Sequence, residues 1–169
     1  MTNAMWFEAY DGETTEELLA LEGTHRIDSL VLAFEEAIQR KAASGPISPE
    51  ERYVLAIEGL EREVNNGGYS QFFLNSSREF VDAIEEALLA VGCPKTAAIT
   101  RSAIGALGLG PQLTPEKAEQ VVLDDDDSVR EALDDCDGRY YENDKAIADK
   151  LFAWIRRNRA KVRVGEPLS

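Results

Sequence analysis

With 169 residues, 44% of them hydrophobic and 30% charged, the chain has the size and composition of a folded domain with an apolar core, not of a disordered tract. Its 32 acids against 18 bases leave −14, a balance that disfavours nucleic acid and anionic membranes as direct partners. No apolar run nears the roughly 18 residues of a membrane span. The start, Met1-Thr2-Asn3-Ala4-Met5-Trp6, has no secretory pattern, and Cys93 and Cys136, far apart, read as reduced thiols of a cytoplasmic protein.

In chain order, the first 23 residues offer one weak short helix around 15–21. Ile27, Leu30, Val31, Phe34 and Ile38 then follow helical spacing and predict a helix with one buried face, ending near Ser44-Gly45-Pro46. Ser48-Pro49-Glu50-Glu51 is a capping box with proline at the first helical position. The helix it opens should bury Tyr53, Ile57, Leu60 and Val64, and at about 100° per residue it gathers Glu50, Glu51, Glu58 and Glu61 into one acidic arc. Asn65-Asn66-Gly67-Gly68 stops it, because Asn and Gly accept left-handed backbone angles, and a short aromatic helix from Tyr69 to Leu74 follows. Ser76-Ser77-Arg78-Glu79 reads as a second capping box, opening a helix with Phe80, Ile84, Leu88 and Val91 inside.

Gly92-Cys93-Pro94 breaks that helix, and an Ala- and Gly-rich one spans roughly 95–107. Thr114-Pro115 caps the next, which the run Asp124–Asp127 interrupts before a segment from Ser128 carrying Val129, Leu133, Tyr140 and Tyr141. Asn143 is placed to cap the last helix, with Ile147, Leu151, Trp154 and Ile155 as its stripe and Arg156, Arg157, Arg159 and Lys161 near its C-terminal end. No segment alternates like a strand. The fold class is therefore all-α, a compact domain of about seven helices over 24–162, with an extension (1–23) before it and a tail (163–169) after it.

Catalytic patterns are sparse. A single histidine, His25, cannot build a histidine-rich zinc site or a triad. Ser70 lacks the strand a nucleophile elbow requires, and Gly67-Gly68 has no following Lys to make a phosphate loop. The stretch from Leu133 to Gly138 echoes a calcium loop, but Leu133 stands at its first ligand position and Asp144 at its twelfth, so no metal is expected. No cofactor is expected either, and the chain reads as a binding protein, not an enzyme.

The stretch Glu61-x-Glu63-x-Asn65-Asn66-Gly67-Gly68-Tyr69-x-Gln71-Phe72-Phe73-x-Asn75 resembles the hallmark of the DNA mimic protein family, an all-helical family. The similarity continues through Glu86-Ala87-Leu88, the Ala-rich helix, Leu133-Asp134-Asp135 and Tyr140-Tyr141, covering about residues 25–160. The resemblance implies an acidic cytoplasmic homodimer that competes with DNA for a basic DNA-binding protein, a transcriptional regulator or a nucleoid protein. Carboxylates of Glu50, Glu51, Glu58, Glu61, Asp124, Asp125, Asp126, Asp127, Glu131 and Asp135 are then the expected partner-binding surface. Asn65, Asn66, Gly67, Gly68, Tyr69, Gln71, Phe72 and Phe73 have two open readings. They are a structural helix stop with Phe72 in the core, or a polar contact surface serving an immunity-type interaction module or an active site.

Overall fold

A computed structural model describes residues 3–143 and 146–166. Asp144, at the twelfth position of the calcium-loop echo, the first two residues of the chain and the last three of the tail lie outside the described residues. Among those described, nine α-helices and two short 3-10 turns carry the fold, and β-pairing is limited to isolated bridges at His25. The helices gather into two compact units, one from the chain up to Glu58 and from Ala146 onward, the other from Gly59 to Lys145.

The first unit holds α1 (Thr15–Leu19), α2 (Ile27–Ser44), the first half of α3 (Pro49–Gly67) and α9 (Ile147–Arg157). The predicted stripes are its core: Leu30, Phe34 and Ile38 of α2 and Ile147, Leu151, Trp154 and Ile155 of α9 are all buried, joined by Phe152, which lies outside the expected stripe and meets Phe34 edge-on at 6.4 Å. Thr14 caps α1 with a full capping box, and Leu18 and Leu19 of α1 are buried. The Thr15 hydroxyl donates to the Val162 carbonyl (2.7 Å) and accepts from the Val164 amide (3.0 Å), which fixes the chain beyond α9.

The second unit holds the end of α3, α4 (Tyr69–Leu74), α5 (Ile84–Ala90), α6 (Pro94–Ala106), α7 (Pro115–Leu123) and α8 (Asp127–Glu142). Its core is Leu60, Val64, Tyr69, Phe72, Phe73, Ile84, Leu88, Leu133 and Tyr140. Thr114 caps α7 as expected, its hydroxyl accepting from the Lys117 amide at 3.1 Å.

Two expected caps act elsewhere. Ser76–Phe80 forms a 3-10 turn, and α5 begins later, after Ala83. The polar groups that could have capped a helix there close the end of α4 instead. Ser77 donates to the Phe72 carbonyl (3.0 Å), and Arg78 donates to the carbonyls of Leu74 and Asn75 (2.9 Å each). Asn143 ends α8 and does not begin α9; its side-chain amide donates to the Thr96 hydroxyl at 2.9 Å.

No helix among the described residues is long and apolar enough to cross a membrane.

Candidate functional site

The two acidic segments named from sequence meet different fates. On α3 the arc dissolves. Residues 54–60 are buried without a break, so this helix has no solvent face through its middle. Glu58 is 7% exposed and Glu51 only 1%, so neither can present its carboxylate to a partner, against the expectation for both. Glu51 is held inside by groups distant in sequence: Lys41 donates to it at 2.7 Å and the Arg163 amide at 3.1 Å. It also answers the Ser48 cap, its amide donating to the Ser48 hydroxyl at 3.0 Å. Glu50 is half-buried with the Lys161 ammonium 3.5 Å away, and Glu61 is half-buried. The C-terminal cations continue this pattern. Arg156 pairs with Glu22 at 2.5 Å and Arg163 with Glu16 at 3.3 Å and with Glu166. Much of the first unit's acidity is thereby compensated internally, and it carries 14 acids against 10 bases; the second unit carries 18 against 8, net −10 of the −14.

On α7 and α8 the acids stay outside. Asp124 ends α7, Asp125 takes a left-handed backbone angle (φ 53°), and Asp126 caps α8. Asp125 and Asp127 are 72% and 83% exposed along their side chains, with Arg130 paired to both. Along α8, Asp127, Glu131, Asp134, Asp135 and Glu142 are all exposed. At 100° and 1.5 Å per residue they fall within an arc of about 100° and span about 22 Å. Leu133, Cys136 and Tyr140 on the opposite face are buried. Asp134 and Glu142 were not singled out from the sequence; counting helical period from Asp127 finds both. The Leu133–Gly138 stretch lies in the middle of this helix and is not a loop.

The Asp126 carboxylate accepts from the Ser128 hydroxyl (2.6 Å) and from the amides of Ser128 (2.9 Å) and Val129 (3.2 Å). These bonds, the hydroxyl's first, hold its pKa below the usual carboxylate value. A depressed folded-state pKa contributes stability above the ordinary aspartate value and loses it as pH falls through the folded one. Acidification below about pH 4 is therefore expected to fray the first turn of α8 before the protein unfolds. Amide exchange at Ser128 and Val129 should accelerate there while exchange at Leu133 does not.

The Asn-Gly motif frames this helix from beneath. Helix α3 runs to Gly67, and the break comes one residue later, at Gly68 with φ +81°. The Gly68 amide donates to the Val64 carbonyl at 2.8 Å, and the next amide, Tyr69, donates to the Asp137 carboxylate of α8 at 2.7 Å. A Cβ on Gly68 would overlap that carboxylate. Burial pushes the Asp137 carboxyl up, the Tyr69 amide draws it down, and the neighbouring Asp134 pushes it up again. The Tyr141 hydroxyl donates to the Val64 carbonyl at 2.6 Å, so α8 grips the end of α3 twice.

The other motif residues serve the same frame. Tyr69 is fully buried, its hydroxyl 2.8 Å from that of Thr100 and its ring edge-on to Tyr140 at 5.9 Å. Phe72 and Phe73 are core residues. Asn75 donates to Glu63 at 2.6 Å and to Gln71 at 3.0 Å, tying the ends of α3 and α4. A Cβ on Gly67 would come within 3.0 Å of the Gln71 side chain. Asn65 and Asn66 are the motif positions that remain exposed polar groups. Asp137 is the framing residue that the sequence did not disclose.

A family model described as DMP19-like protein matches residues 45–158, more than half the chain, and the chain belongs to that family. No curated protein and no solved structure matches it.

Proposed function

We propose that this member of the DMP19-like family is a non-enzymatic DNA mimic of the cytoplasm, whose α8 face occupies the DNA-binding surface of a basic protein such as a transcriptional regulator or nucleoid protein. The observation that carries the reading is the α8 stripe, five exposed carboxylates along about 22 Å of one helical face. A strand of duplex DNA places one phosphate per 3.4 Å of axis, or about six over that length. A partner's Arg and Lys can meet these carboxylates as they meet phosphate oxygens. Residues 124–142 hold nine acids against two bases, so the face stays anionic although Arg130 pairs with two of its members.

Rigidity supports the same reading. An array imitates a polyanion only if its charges hold register, and α8 is fixed by its buried face and by Asp137 and Tyr141 on the α3 end. The test is competition. Proteins retained by the immobilised chain at low salt should be released by duplex DNA and should lose their own mobility-shift complexes when the chain is added. Retained proteins indifferent to duplex DNA would refute the reading.

A further inference from the structure

Beside the acidic face, the second unit has a socket that a polyanion alone does not need. It lies among α4, α7 and the start of α8, with a volume of about 220 Å³. Its apolar wall is aliphatic: Leu74, Val121, Val122 and Val129, each only half-buried, with the buried Leu133. Leu123, the next residue along α7, is 59% exposed. Ser70, Asp125, Asp126 and Arg130 also line the socket, Arg130 pairing with Asp125 and Asp127, and Glu131 follows within the next turn of α8, so acids outnumber the one cation around it.

We infer that the socket receives one aliphatic side chain of a cationic partner polypeptide, presented between arginines or lysines that pair with the surrounding carboxylates. This rests on the acidic-face reading and adds what the face alone lacks, a means of choosing among basic proteins. The volume is below the roughly 300–1,000 Å³ of small-molecule sites, so the occupant is a protruding side chain and not a metabolite. The acids select its flanks. An anionic ligand or an anionic membrane surface is repelled, while a cationic helix or loop is drawn in. An apolar anchor seated inside a polar rim is also the arrangement that concentrates binding energy at protein interfaces.

The consequence is a component of affinity that salt does not screen. The probes are two fluorescent helical peptides of identical charge, each with four arginines on one face, carrying a central Leu in one and Ala in the other. Their binding to the full chain is read by anisotropy at 50 and 300 mM NaCl. Both should weaken with salt, and the Leu peptide should bind about tenfold more tightly at each concentration, the effect of burying roughly two methylenes. Val122→Phe, which fills the socket, should erase that preference and leave the Ala peptide's affinity within about twofold. Val129→Asn, which makes the wall polar, provides a second variant, with circular dichroism reporting the fold of each. Equal binding of the two peptides to the natural chain, or a preference that survives both variants, overturns the socket and leaves the acidic face standing. Failure of both peptides to bind at 50 mM overturns the socket and the acidic-face reading together.

Discussion

Neutralising Asp127, Glu131, Asp134 and Asp135 together, as Asn, Gln, Asn and Asn, should weaken binding of a captured DNA-binding partner about 10- to 100-fold at 50 mM salt. Single exposed ion pairs contribute little, but these four carboxylates share one arc of α8 and act on one cationic surface, so their small effects compound. The salt dependence is the more diagnostic readout. Attraction between exposed charges fades as the screening length falls from about 30 Å at 0.01 M to about 10 Å at 0.1 M. The natural chain should lose affinity steeply across that range, and the neutralised one far less. Glu51→Gln and Glu58→Gln form the contrasting set: both lie inside, so partner affinity should not follow them. An equal loss of affinity in the two sets would relocate the interface away from α8.

Gly68→Ala should have the largest effect on stability, about 3 kcal/mol in urea unfolding at pH 7. Two costs combine. An alanine at φ +81° and ψ −176° enters an extended, positive-φ region that essentially only glycine adopts, at about 1–3 kcal/mol. Its Cβ also displaces the Asp137 carboxylate, so the Tyr69 amide loses a charged acceptor worth about 1.5–3 kcal/mol. A double-mutant cycle separates the terms. With Asp137→Ala already present, Gly68→Ala should cost only the backbone penalty, because no carboxylate is left to displace. An unchanged cost in that background would mean that Asp137 does not sit over Gly68 in solution. Since the same contact fixes α8, Gly68→Ala should also reduce partner binding, while Gly12→Ala, at φ +102° with open space around it, should not.

How far the site was legible follows from the range of the interactions involved. The helices and their core faces are local properties. The spacing of Leu30, Phe34 and Ile38, or of Leu151 and Ile155, forces a buried stripe whatever packs on it, and the Thr114 cap lies within one turn of the amides it serves. The exposed stripe of α8 was readable for the same reason, once the helix start at Asp127 is known, because burial of Leu133, Cys136 and Tyr140 leaves the opposite arc to solvent. The stop at Gly67-Gly68 was readable as chemistry too, although its position within the motif shifted by two or three residues from the asparagines to Gly68.

The fate of individual charges was not local. Glu51 and Asp127 look alike in sequence, each an acid in the first turn of a capped helix. One is buried because Lys41 and the Arg163 amide, 10 and 112 residues away, converge on it, and the other is 83% exposed. Likewise Asp137 belonged to a failed calcium pattern until packing brought it, across 68 residues, to the amide that follows Gly68. A helical period tells which way a side chain points, and the amino-acid order therefore determined an acidic, all-helical chain with a glycine break. Whether a carboxylate ends in water or against a lysine depends on chain segments that only folding brings together, and that alone decided which acids remain available to a partner.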